Sequence, residues 1–61
     1  MVIEKKHLRW LVSCRDNGLS VVETHELLLC LESSGDEGRK NAQAMLEITT
    51  TMTEEQFQQL K

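Results

Sequence analysis

His7, Cys14, His25 and Cys30 are the residues of this 61-residue chain whose types could do chemistry together. Two imidazoles and two thiolates make a zinc-like ligand set. Their spacing argues against that use. His25 and Cys30 are five apart, which on a helix sets them on nearly opposite sides of the axis. No Cys-x-x-Cys or His-x3-His pair is present. A Cys14–Cys30 disulfide fits no better. In a helical hairpin turning near Gly18, Cys14 lies about one turn from the joint and Cys30 about three, an axial offset of about 10 Å and beyond disulfide reach. Cys14 and His7 share a helix face but stand two turns apart, too far for the direct thiol–imidazole hydrogen bond of an activated nucleophile. No glycine-rich phosphate loop occurs. The Glu54-Glu55 pair falls in a helix first turn, where the dipole alone accounts for it. The expectation is therefore a non-enzyme with no metal, no cofactor and no small-molecule substrate. Cys14 and Cys30 then serve as small apolar packing residues.

The elements that position these residues read as all-α. Ile3, His7, Trp10, Leu11 and Cys14 recur at helical spacing, and Leu8 and Val12 widen that stripe. They predict a first helix over Ile3 to Asn17, stopped at Asn17-Gly18 because glycine takes the left-handed conformation cheaply. Ser20-Val21-Val22-Glu23 is a capping box and predicts a second helix running to about Ser33. Gly18-Leu19 is a short joint, so the first two helices are expected as an antiparallel hairpin. Ser34 with Glu37, or Asp36 alone, can start a third helix over Glu37 to Ile48, with Ala42, Met45, Leu46 and Ile48 as its apolar face. Thr49-Thr50-Thr51 is a β-branched run and is expected to break that helix rather than form a short strand, the further alternative being one long C-terminal helix that bridges the threonines. Thr53-Glu54-Glu55-Gln56 is a second capping box, with Met52 and Phe57 placed as a hydrophobic staple, and predicts a short fourth helix to Lys61.

Sixty-one residues make one domain at most, over 1–61, and a domain this small is marginal alone. With one Trp, one Phe and no Tyr, the core must be aliphatic. Leu27-Leu28-Leu29-Cys30-Leu31 then stands out, because five consecutive apolar residues point in every direction around a helix and call for cover on every side. A second copy or another protein is the natural cover. The expected fold is a small bundle of three to four short helices, beginning with the hairpin and completed as a homodimer or higher oligomer. The expected association residues are Trp10, Leu11, Leu19, Leu27, Leu28 and Leu31. Trp10 serves either as the anchor of the aliphatic core or as an interface hot spot, a role in which Trp is enriched.

Net charge is −3, which disfavours nucleic acid as a partner. Its distribution is uneven. Lys5, Lys6, Arg9 and Arg15 face Glu4 alone in the first fifteen residues, while Asp16 to Glu37 holds six acids and no Lys or Arg. The basic first helix and the acidic middle can attract each other within or between chains. Gly18 to Thr24 has the form of a helix-turn-helix entry, but the helix after it lacks base-reading residues. Arg39, Lys40, Asn41 and Gln43 in the third helix are the alternative DNA contacts, against the plainer reading of a solvated helix start. No apolar run is long enough for a signal peptide or a membrane span, and two cysteines without a secretion signal point to a cytoplasmic, reducing setting.

The stretch His7 to Ser20, leading into Glu23 and Leu27-Leu28, resembles the helical hook of the SinI-type sporulation antirepressors. Val21 and Val22 depart from the polar residues usual after that cap. The resemblance covers about half the chain and implies a hook that interlocks with a second hook, often a repressor's, through Trp10, Leu11, Leu19, Leu27 and Leu28. In length, helix content and wording the whole chain also resembles the small early-region reading frames of lambdoid phages, between the exonuclease and excisionase genes. That resemblance implies a host-directed regulatory protein working in the host cytoplasm.

Overall fold

A computed structural model describes residues 3–35 and 38–61. Four helices follow in order: α1 Lys5–Asp16, α2 Val21–Ser33, α3 Gly38–Thr51 and α4 Glu54–Gln58. The protein is an all-α small bundle. The densest packing joins α2 to α3, and α1 and α4 lean on that pair. The radius of gyration is 10.6 Å, the value of a compact chain of this length, so the helices cover one another within a single copy.

Local chemistry explains the boundaries. α1 ends in a full Schellman motif: the Leu19 amide donates to the Cys14 carbonyl at 3.1 Å and the Gly18 amide to Arg15 at 2.9 Å. Gly18 supplies the left-handed residue this motif needs, at φ 89°. The expected capping boxes both form. The Ser20 hydroxyl accepts from the Glu23 amide at 3.1 Å while the Glu23 carboxylate accepts from the Ser20 amide at 3.0 Å. Thr53 and Gln56 repeat the exchange at 3.1 and 3.0 Å. The expected start of the third helix at Asp36 and Glu37 lies outside the described residues.

Three boundaries differ from expectation, the first being α1, which begins at Lys5 rather than at Ile3. The threonine run does not break the third helix; it forms its last turn. Each hydroxyl bonds back to a carbonyl one turn earlier, Thr49 and Thr50 to Leu46 at 3.1 and 2.7 Å, and Thr51 to Ile48 at 3.2 Å. The low helix propensity of threonine amounts to a few tenths of a kcal/mol per residue, and burial of Ile48 and Thr49 outweighs it. The single long helix does not form either, because Met52 and Thr53 leave the helix before α4 begins. α4 closes at Gln58, three residues short of Lys61.

The core is built mainly of aliphatic side chains, Met45 and Cys14 around Phe57, with His7, Thr24 and Thr49 buried beside them. Leu11, Leu28 and Phe57 are fully enclosed, with Cys14, Val21, Ala42, Met45, Leu46 and Ile48 around them. Ile3, Trp10, Leu19, Met52 and Leu60 pack on its margin half-buried. The short α4 is held at three points. Phe57 enters the core. The Glu54 carboxylate accepts from the Val21 amide at 3.0 Å, capping α2 from 33 residues away. The Arg15 guanidinium donates to the carbonyls of Gln58, at 3.2 Å, and Leu60, as cations do at helix C-termini. Glu54 thus meets a second helix as well as its own dipole.

Candidate functional site

The titratable residues are separated by the fold. His7 is buried on α1 and its Nε2 faces the Asn41 Oδ1 of α3 at 3.4 Å. His25 is half-buried, with Nδ1 at 2.8 Å from the Thr49 hydroxyl. The two imidazoles therefore have different partners on α3. Among the described residues no group of three or more His, Cys, Asp or Glu side chains is arranged to hold a metal ion.

Both cysteines are free, Cys14 buried and Cys30 exposed. Burial pushes the Cys14 thiol up from its ordinary value, partly offset by the Thr24 side chain beside it. A buried, protonated thiol is a weak nucleophile. Two outcomes are expected. A thiol reagent labels Cys30 at once in native protein and reaches Cys14 only on unfolding. Cys14→Ala lowers stability by about 1–2 kcal/mol, whereas Cys30→Ala shifts it by no more than about 0.5 kcal/mol. Mass spectrometry after timed alkylation, with thermal melts, checks both. Stoichiometric zinc or a chelator-sensitive melt contradicts the metal-free reading.

The apolar run of α2 is divided by the packing. Leu28 is wholly enclosed and serves the chain's own core. Leu27, Leu29 and Leu31 remain 40%, 49% and 39% exposed, and Val22 at the other end of the helix 62%. Of the expected association residues, Leu11 and Leu28 are thus withdrawn into the core and can only support a surface from beneath. Trp10 and Leu19 are half-buried at its edge, and Leu27 and Leu31 lie on it. Val22 and Leu29 belong to the exposed set and were missing from the expected one. Their signal was present in the valines after the Ser20 cap and in the unbroken leucine run.

Comparison of the chain with family models, curated proteins and solved structures returns no match. The surface must be read from its own residues.

Beside Leu31, a groove of about 280 Å³ runs between α1, α2 and α3, lined among others by Lys6, Trp10, Asn41 and Met45. The candidate DNA contacts do not share one face. At 100° per residue, Arg39, Lys40 and Gln43 point outward together, while Asn41 turns toward His7. Glu47 follows Gln43 by one turn on that outward face and is exposed. This leaves two cations beside an acid, a thin footprint for a phosphate backbone. No described helix is long and apolar enough to cross a membrane.

Proposed function

We propose that this protein is a non-enzymatic regulatory module that acts by helix-mediated association, with α2 as its contact element. One observation carries this reading: Val22, Leu27, Leu29 and Leu31 stay exposed on a single helix although the core beneath them is complete. Leu27 and Leu31 share one flank of α2 and Val22 and Leu29 the other, and exposed apolar side chains on so small a surface mark places where another protein sits. The resemblance to early proteins of lambdoid phages extends the reading to a host-directed regulator working in the cytoplasm, and the resemblance to an antirepressor hook supports helix-on-helix docking as its mode.

The expected result is a sedimenting mass above the 7.0 kDa of one chain at micromolar concentration. The double variant Leu27→Asp/Leu31→Asp keeps the helical circular dichroism of the wild type and sediments as a monomer. A wild-type monomer with no concentration dependence that also captures nothing from host lysate removes this reading.

Nucleic-acid binding is expected to be weak. Acids dominate α2, and α3 offers only Arg39 and Lys40 to phosphate. A gel shift on mixed-sequence duplex at about 150 mM salt should show no submicromolar complex, salt being the variable that governs such contacts. A tight complex lost on Arg39→Ala with Lys40→Ala reverses the ranking and makes α3 the functional element.

A further inference from the structure

We infer that the first partner of this surface is a second copy of the chain, docked so that α1 of each copy lies on α2 of the other. The inference rests on the association reading above and names its partner and geometry.

Among the described residues no ion pair joins the charged faces of α1 and α2 within one copy. α1 carries Lys5, Lys6 and Arg9 on its exposed side, and α2 carries Glu23 and Glu26 on its own. Among the described residues, the only ion pairs are local to α1 and its N-cap, Lys6 with Glu4 at 3.6 Å and Arg15 with Asp16 at 3.1 Å. The attraction between a basic α1 and an acidic α2 is therefore unused within one copy. The helix dipoles are answered differently. The first turn of α1 holds Lys5 and Lys6 and no acid, although the N-terminus of a helix favours negative charge. The last turn of α2 holds Glu32 and no base, although the C-terminus favours positive charge. Lys6 lines the groove beside Leu31 and Ser34 at the C-terminal end of α2, so this match is made within one copy, and Glu23 and Glu26 are the acids left for a second.

The layout of the apolar patch fixes how two copies meet. Lys6, Trp10 and Leu31 line one groove. Arg9 follows Lys6 by three residues on the outward side of α1. Leu27 precedes Leu31 by one turn, and Glu23 and Glu26 lie beyond Leu27 on the outward side of α2. Crossing the patch, one passes a cationic rim, an apolar centre of Trp10, Leu31 and Leu27, and an acidic rim. A two-fold axis through such a centre carries each rim onto the opposite one. Lys6 and Arg9 of each copy then face Glu23 and Glu26 of the other, and the pairing occurs twice. Both pairs have the same three-residue spacing, so they run along their helices in step. A partner laid on this patch with α2 along α2 would bring the glutamates together, and like charges in juxtaposition are strongly disfavoured.

The test uses two charge variants of the full chain. Lys6→Glu/Arg9→Glu reverses the cationic rim and also suits the α1 dipole, so its fold is retained. Glu23→Gln/Glu26→Lys alters the acidic rim, and glutamine preserves the capping box. Sedimentation equilibrium at about 50 mM salt is expected to show each variant alone associating at least about tenfold more weakly than wild type, and an equimolar mixture recovering the wild-type mass. Two results overturn the inference. If both charge variants self-associate like wild type while Leu27→Asp/Leu31→Asp does not, the copies meet in another geometry and the association reading stands. If the wild type is monomeric throughout, a second copy is not the occupant. Capture of a host protein by wild type but not by the Leu27→Asp/Leu31→Asp variant then decides the broader reading separately.

Discussion

Leu28→Asp is expected to unfold the chain at every concentration, whereas Leu31→Asp leaves the fold in place and acts on association. The two leucines are three residues apart in one apolar run, yet Leu28 is fully enclosed and Leu31 is 39% exposed. A carboxylate at position 28 lies among apolar core residues, with the neutral, buried Thr24 hydroxyl one turn away on the same helix. Leaving a charge unpaired there costs several kcal/mol, comparable with the whole stability of a small domain. At position 31 the new carboxylate reaches water, and its effect on folding is limited to the helix end, where Glu32 already opposes the dipole. Circular dichroism melts separate the two outcomes. A Leu28→Asp protein that melts like wild type would mean that α2 is not seated on α3 by this residue.

Phe57→Ala is expected to destabilise by about 3–5 kcal/mol, the usual loss for a large aromatic removed from a closed core. The protein has no other phenylalanine, and this one is wholly enclosed. The structural effect should extend past the cavity. A helix of five residues has no stability of its own, so α4 persists only while it is docked. Once Phe57 no longer seats it, the Glu54 cap on Val21 and the Arg15 contact with the C-terminal carbonyls are lost with it. Hydrogen exchange should report this as lost protection at α4 and at the first amides of α2 together. Exchange confined to α4 alone would show that the Glu54 cap is not coupled to docking.

The features legible in the amino-acid order are those that local chemistry decides. Ser20 with Glu23 and Thr53 with Gln56 are complete within four residues, and both helices begin where those pairs sit. The stripe His7, Leu11 and Cys14 emerges as the buried face of α1 for the same reason. Long-range packing decides the rest. Thr49 to Thr51 remain helical because tertiary burial and backbone hydrogen bonding override a weak preference of each residue. The division of Leu27 to Leu31 into one enclosed and several exposed leucines depends on which side α3 occupies, and periodicity cannot choose when every side is apolar. The contacts of Arg15 and Glu54 join residues more than thirty positions apart and carry no local signature.

That closure has a kinetic meaning. Small helical bundles generally fold fast because most of their contacts are near in sequence. Here the last helix is fastened to the joint between the first two, by bonds spanning 33 and 45 positions. Neither bond can form until the intervening chain has folded back, and loop closure of that length must be met in entropy beforehand. The final helix therefore orders as a late event and reports completion of the whole. By the same token the bundle opens first at α4, and that opening uncovers the joint between α1 and α2 before the α2–α3 pair gives way.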